Sequence, residues 1–425
     1  VSPTYGYAFH NRLTHSLKVA QLARRIAERI SGKRSNRRLI EELGGLDVDA
    51  AETAGLAHDL GHPPFGHVAE VELNALVEEV GIAEGLPDLD GFEGNAQSFR
   101  IVTRLAAADV TPARPDGDTS GVPLGLNFTR ASLNGILKYP WLRATLPISR
   151  RGQAAQKTRK WGAYRSERDW FEWARQGSPT EVRSLEAEIM DWADDITFSV
   201  HDLIDFYCAG RIPIHLLRQG ALGGESQELK KFFDEVFARK TEDGFRRRRA
   251  RLENALGAVL IWFPAESRYV GSPGQRQALA DLTTMLISEF VSGIRLNEEA
   301  VRDRDQSRVV IDEENLDTVD ILKQLTWHYV IVGHDLACEQ EGQRLAVRTV
   351  FQAVYDASGP DSRKHRYLLP LHYRERIRRS REEGEPEEAV RLVVDYIASM
   401  SEAELMRVYG CLTGHPNPSR PTFTT

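Results

Sequence analysis

Apolar residues recur with the helical period along nearly the whole chain, and this pattern limits the fold more than any other feature. Leu17, Ala20, Leu22, Ala23, Ile26, Ala27 and Ile30 form one stripe, which starts just after Thr14, an N-cap candidate, and ends before Gly32. Leu185, Ile189, Trp192, Ile196, Val200 and Leu203 form a second. Further helices are expected at about 69–80, 95–107, 229–237, 249–262, 276–291, 319–332, 345–355, 387–400 and 402–412. One strand pair is expected, 294–297 against 309–311, with a charged stretch between them to turn a hairpin. The fold class is therefore all-α with a small β-hairpin insertion. Residues 111–125, rich in Pro, Gly and Asp, and residues 149–180, which mix basic side chains with Trp161, Trp170 and Trp173, read as insertions or mobile loops. Neither has enough linker composition to separate independent domains.

A chain of 425 residues can bury a large core. Its net charge of -7 argues against a nucleic-acid binder as a whole, although two runs are locally basic. Residues 24–38 hold Arg24, Arg25, Arg29, Lys33, Arg34, Arg37 and Arg38, and residues 245–251 read FRRRRAR. Each reads first as a solvated helix face or an inter-subunit contact, and second as a patch for polyphosphate or single-stranded nucleic acid. No apolar run approaches the ~18 residues of a membrane span. The first residues carry no export or transit pattern, so a cytoplasmic address with no membrane partner is the default expectation. Cys208, Cys338 and Cys411 lie far apart and outside any CxxC spacing, which argues against a disulfide framework and reads as core thiols.

The chemistry concentrates in residues 58–68, HDLGHPPFGHV, which place three histidines and an aspartate beside a double proline. Five of the chain's twelve histidines fall before position 68, far more than an even spread would put there. On a helix the adjacent His58 and Asp59 diverge by about 100°, yet both can grip an ion lying beside the helix if other helices supply the remaining ligands. His15, at the start of the first strong helix, and Asp194, an acid inside the second apolar stripe, are candidates. Two imidazoles and two carboxylates make a mixed nitrogen and oxygen set, which suits manganese, iron or magnesium at least as well as zinc. Taken singly, each of these side chains also has an ordinary structural reading, and Asp194 with Asp195 can equally be an exposed acidic pair. His334-Asp335 repeats the dipeptide with no histidine cluster around it and reads as ordinary.

The order of motifs resembles a family. RLTHS at 12–16, HDLGHPPFGHVAE at 58–70, FEGNAQ at 92–97, ADDITFSVHD at 193–202 and DYIASM at 395–400 are similar to the HD-domain deoxynucleoside triphosphate triphosphohydrolases, specifically the bacterial dGTPase group. The resemblance implies a mainly α-helical HD-domain fold, one elaborated unit over 1–425. Its HD core would span about 10–210, and a C-terminal helical region of about 211–425 would complete the active site and make oligomer contacts. It implies that His15, His58, Asp59 and Asp194 are metal ligands, with Asp194 and not Asp195 as the match. It makes His67 and Glu70 the catalytic pair and turns His62 toward the phosphates. Arg12, Lys138 and Tyr139 would hold phosphate oxygens, Asp202 the sugar 3′-hydroxyl, and Phe198 would leave no room for a 2′-hydroxyl. Arg391 and Tyr396 lie where the family's late helix meets the substrate, with plain structural roles as the competing assignment.

The implied reaction is hydrolysis of dGTP, or of dNTPs more broadly, to the deoxynucleoside and inorganic triphosphate, serving control of the dNTP pool. Water attacks the α-phosphorus and O5′ leaves. Mg2+ or Mn2+ is the expected ion, with iron and zinc as further options. The expected partners are a dNTP substrate, an activating dNTP and further copies of the chain in a homo-oligomer, a hexamer in some of the family. The competing function is a catalytically weak nucleotide-sensing or single-stranded nucleic-acid-binding HD protein. Three departures bear on specificity: Phe198 stands where the family usually has Tyr, residues 401–404 read SEAE, and no glutamine motif is recognisable upstream of Arg12.

Overall fold

The structure is a computed structural model and describes residues 12–106, 125–143, 159–265, 268–331, 334–359 and 366–415. Most of the expected loop at 111–125 and the first part of that at 149–180 lie outside the described residues. The chain divides into two compact units, one comprising the described residues of Val1–Leu56, Asn134–Ile136 and Ser178–Ala337, the other those of Ala57–Leu133, Leu137–Gly177 and Cys338–Thr425.

In the first unit, helix Arg12–Ser31 buries His15, Val19, Ala20, Leu22, Ala23, Ile26, Ala27 and Ile30. The stripe is the expected one except that Leu17 points outward and Val19 takes its place inside. This face packs on helix Leu185–Thr197, which starts at Ser184, whose side chain accepts the amide of Ala187. Helix Val48–Ala57 crosses the first helix so closely that a Cβ on Gly55 would stand 2.6 Å from the Ala20 Cα, so only glycine fits there. Strands Ile294–Leu296 and Val309–Ile311 pair antiparallel with Ile294 opposite Ile311, at the expected place. Their inward residues Ile294 and Val309 join the same core.

Several cations of both basic runs make ion pairs or donate to carbonyls within this unit. Arg24 meets Asp49 and Glu52, Arg29 donates to the carbonyls of Ser292 and Ile294, and Arg38 meets Glu42. In the second run, Arg248 meets Asp317 and Asp320, Arg249 meets Glu253, and Arg251 meets Asp317 and Glu313.

In the second unit, helix His67–Glu84 buries Ala69, Leu73, Leu76, Val77 and Val80, which join Val347, Val350 and Phe351 of helix His334–Ser358 and Val390 and Val393 of helix Pro386–Ala398. The described part of 159–177 is packed, contrary to the loop expectation. Trp161 and Tyr164 are buried with Ala96, and helix Arg168–Ala174 follows. The bulk of the aromatic rings outweighs the polar composition that made the segment read as a loop. The cysteine expectation is also corrected: Cys338 and Cys411 are exposed and Cys208 is half-buried.

At the heart of this unit Arg100 is wholly buried and meets Glu167 at 2.7 Å, Glu388 at 2.7 Å and Asp395 at 2.8 Å. Gln97 Nε2 donates to the same Asp395 at 2.8 Å. The Gln97 of FEGNAQ and the Asp395 of DYIASM are thus two ends of one structural contact. Removing the cation would strand three carboxylates, two of them fully buried. Arg100→Met is expected to cost about 3–5 kcal/mol and to lower the melting temperature by on the order of 10 °C. Calorimetry checks this, and an unchanged melting temperature would show that the carboxylates take up protons without cost.

Candidate active site

The HDLGHPPFGH segment follows helix Val48–Ala57 as a turn, with its glycines set by contact and conformation. A Cβ on Gly61 would lie 2.1 Å from the Ser98 amide nitrogen, because the turn rests directly on helix Gly94–Arg100. Gly61 N–H donates to Ser98 Oγ at 2.8 Å, and that hydroxyl donates to the His58 carbonyl at 2.9 Å. The Pro63 carbonyl then accepts the Gly66 amide at 3.0 Å, with Phe65 at φ 67° and Gly66 at φ 60°. A proline at the second turn position and positive φ at the third make the type II pattern, and the turn launches a helix at His67.

That helix carries His67 and Glu70 through its first turn, so side chains three apart share a face. His67 Nδ1 lies 2.9 Å from Glu70 Oε2. The His67 ring is 76 % exposed while the Glu70 carboxylate is 6 % exposed, so the pair offers a solvent-facing imidazole on a buried anion. Around the turn, Asp59 Oδ1 is 3.4 Å from His58 Nε2 and 3.2 Å from His62 Nδ1. The His62 ring also faces Gly94, where a Cβ would come within 3.1 Å of it.

Two residues that sequence reasoning missed complete this side. Lys160 Nζ is 2.6 Å from Glu70 Oε1 and 3.1 Å from Glu93 Oε1. Glu93 is fully buried and caps helix Gly94–Arg100 by accepting the amides of Asn95 and Ala96. The FEGN sequence carried a signal for this cap, an acid just before a helix start. Lys160 carried none, since it stands 90 residues from Glu70. Burial raises the Glu70 carboxyl, but the His67 hydrogen bond and the Lys160 charge outweigh it and hold the group well below the usual carboxylate range. Burial, reinforced by the Glu70 charge, pushes Glu93 up to about 7 against the pull of Lys160. Lys160 stays raised because the charges of Glu93 and Glu70 overcome its own burial.

Lys138 and Tyr139 lie half-buried beside the Lys160 segment. Trp141 Nε1 donates to the Lys160 carbonyl at 2.8 Å, and Gly162 passes so close that a Cβ would meet the Tyr139 carbonyl at 2.1 Å. Arg391 is buried, donates to the carbonyls of Asp90 and Gly91, and stacks 3.8 Å over the Tyr164 ring. Its guanidinium thereby fixes the loop that leads into Glu93. Tyr396 packs on Tyr373 with centroids 5.2 Å apart.

In the first unit, His15 Nε2 lies 3.2 Å from Asp194 Oδ1, while the neighbouring Asp195 meets Lys323 at 2.5 Å. The lysine separates the roles of the two adjacent acids. Arg12 stands one turn before His15 on the same helix. Beyond Asp194 the helix widens to a π-turn at Phe198–Asp202, which the sequence period did not reveal. In a pure α-helix, eight residues would leave Asp202 about 80° from Asp194, whereas one extra residue in the turn brings it back to about 20°. The π-turn thus returns Asp202 to the Asp194 face, with Phe198 between them in sequence.

The donor chemistry fits a divalent ion. Two ligands each about 2.1 Å from one ion and at right angles stand about 3 Å apart. The His15–Asp194 separation of 3.2 Å and the His58–Asp59 separation of 3.4 Å are close to that spacing.

The HD domain family matches residues 12–104 and the phosphohydrolase-associated domain family matches residues 309–410. A deoxyguanosinetriphosphate triphosphohydrolase-like protein of Streptomyces coelicolor is 33% identical over 424 residues, covering 98% of this chain and 86% of the relative. This chain belongs to that family. A relative of the same name from Corynebacterium efficiens is 33% identical, covering 96% of this chain and 84% of its own length. One from Bifidobacterium longum is 30% identical, covering 94% and 75%. HD domains are metal-dependent hydrolases, and this member holds His15 beside Asp194 in one unit and His58 beside Asp59 in the other. Its HD match spans His15, His58, Asp59, His62, His67 and Glu70, while Asp194 and Asp202 lie outside both matched stretches. Among the described residues no helix is long and apolar enough to cross a membrane.

Proposed function

We propose that this chain hydrolyses deoxynucleoside triphosphates, dGTP foremost, to the deoxynucleoside and inorganic triphosphate, in the service of dNTP pool control. The observation that carries the proposal is the His67–Glu70 pair, an exposed imidazole hydrogen-bonded at 2.9 Å to a buried carboxylate on a helix that starts within the HDLGHPPFGH motif. A module that only held a metal or sensed a nucleotide has no need of it.

In this proposal His15, His58, Asp59 and Asp194 ligate one ion, as the family resemblance implies, magnesium or manganese by donor type. Bound there, the ion supplies charge neutralisation at an α-phosphate oxygen. His67 moves a proton at the reacting water or at O5′, and Glu70 fixes its tautomer through Nδ1. His62 turns toward the phosphates. Arg12, Lys138 and Tyr139 hold phosphate oxygens, the arginine through its planar fork. Asp202 accepts the 3′-hydroxyl and Phe198 closes the space for a 2′-hydroxyl. Arg391 and Tyr396, on helix Pro386–Ala398, stand where the family's late helix meets the substrate, and the same Arg391 also fixes the 90–91 carbonyls. A homo-oligomer and an activating dNTP belong to the same proposal but rest on the family resemblance alone. A monomer in light scattering with and without dNTPs would remove the oligomer.

Incubation with each of the four dNTPs and with GTP, in magnesium and in manganese, followed by ion-exchange separation of products, tests the reaction. Deoxynucleoside with intact triphosphate is the expected outcome. Monophosphate with pyrophosphate would place the cleavage at another bond, and no product from any nucleotide would favour a sensing role.

Phe198 offers a finer test. A phenolic hydroxyl there would add one hydrogen bond, worth about 0.5–1.5 kcal/mol net. Phe198→Tyr is expected to raise the dNTP over rNTP ratio of kcat/KM by roughly two- to tenfold. An unchanged ratio would detach Phe198 from the sugar.

A further inference from the structure

We propose that Lys160 is a positioning residue that fixes the orientation and charge of Glu70 and thereby sets the basicity of His67. The inference rests on the acid/base role given to His67 above. Its geometry lies within one compact unit. Glu70 Oε1 takes Lys160 Nζ at 2.6 Å and the Gly94 amide at 3.2 Å, which leaves Oε2 to His67. The carboxylate plane is therefore pinned on one oxygen and presented on the other.

The lysine is itself anchored. Its second contact, Glu93, accepts the Asn95 amide at 2.6 Å, the Ala96 amide at 3.0 Å and Asn95 Nδ2 at 2.8 Å, all at the start of one helix. A chain of fixed contacts thus runs from that helix start through Glu93 and Lys160 to Glu70 and His67. The charged and titratable groups that act on Glu70 include His67, Lys160, His62 and Glu93. Among them Lys160 is the cation that reaches Glu70 on the oxygen opposite His67.

The sign of its effect follows. With Lys160 present, the field of Glu70 at the imidazole is partly neutralised. With the lysine charge removed, the whole carboxylate charge acts on His67, favours the imidazolium and raises the pH at which His67 loses its proton. A residue that merely filled space would not move that midpoint.

The test follows the His67 ring by NMR across a pH titration in the full chain, for the wild type, K160M, K160Q and K160R. K160M and K160Q are expected to raise the His67 midpoint by about half a unit to one unit, since solvent screens an exposed ring. K160R, which keeps the charge, is expected to return it most of the way to the wild-type value. The His67-dependent inflection in kcat/KM should move in the same direction. K160Q keeps a hydrogen-bond donor, so it carries the test if K160M does not fold. A midpoint that stays fixed or falls in the charge-removing variants overturns the proposal. So does a rise in KM with an unmoved midpoint, because that assigns Lys160 to substrate binding. Because the titration needs no substrate, the expected shifts without any dNTP hydrolysis would overturn the reaction and leave the positioning role standing.

Discussion

Asp59→Ala is expected to abolish hydrolysis and to empty the proposed metal site. Asp59 supplies a charged oxygen within 3.4 Å of His58 Nε2, and alanine leaves two imidazoles and the single carboxylate of Asp194 to hold a dication. A hard cation depends on anionic oxygen, so the loss should exceed what removal of one neutral ligand would cause. The aspartate side chain is 27 % exposed, and its replacement should leave the fold intact. Elemental analysis of the purified variant beside an activity assay reads both effects. Full activity with metal retained would remove Asp59 from the ligand set.

His67→Ala is expected to separate chemistry from metal binding. Turnover should fall by about 10²- to 10⁴-fold, the usual reach of general acid/base catalysis, with metal content unchanged. Stability should hardly move, because the ring is 76 % exposed and surface substitutions of this kind typically stay within about 0.5 kcal/mol. The truncation leaves Glu70 paired to Lys160, so no buried charge is orphaned. Steady-state kinetics and metal analysis on one preparation decide the matter. Loss of metal would make His67 a ligand and overturn the division of roles.

The helical architecture was legible because burial on one face imposes a period that the apolar residues record, as in the helix from Arg12 to Ser31. The hairpin was legible for the same reason at the strand period. What the period cannot record is a single extra residue within a turn, so the π-turns at Ile101–Leu105, Phe198–Asp202 and Trp327–Ile331 passed as plain helix. Of these, the one at Phe198–Asp202 matters most, since Phe198 and Asp202 both stand in it.

The histidine segment was legible as chemistry because its residue types are dense and local. Contacts over long sequence separation were not. Lys160 reaches Glu70 across 90 residues, and Arg100 reaches Asp395 across 295, without any local pattern to mark either. Arg391 shows the converse. Its place in a late motif suggested a substrate contact, and no local pattern announced its hydrogen bonds to the carbonyls of Asp90 and Gly91 or its stacking on Tyr164. Likewise no local pattern in the basic run 245–251 marks the pairing of Arg248 and Arg251 with Asp317 of helix Glu313–Thr326.

The most direct test of the proposed reaction is hydrolysis of dGTP in heavy-oxygen water, with the products separated and weighed by mass spectrometry. Attack on the α-phosphorus with departure of O5′ requires one heavy oxygen in inorganic triphosphate and none in deoxyguanosine. Label in the deoxyguanosine, or labelled dGMP beside pyrophosphate, would contradict it.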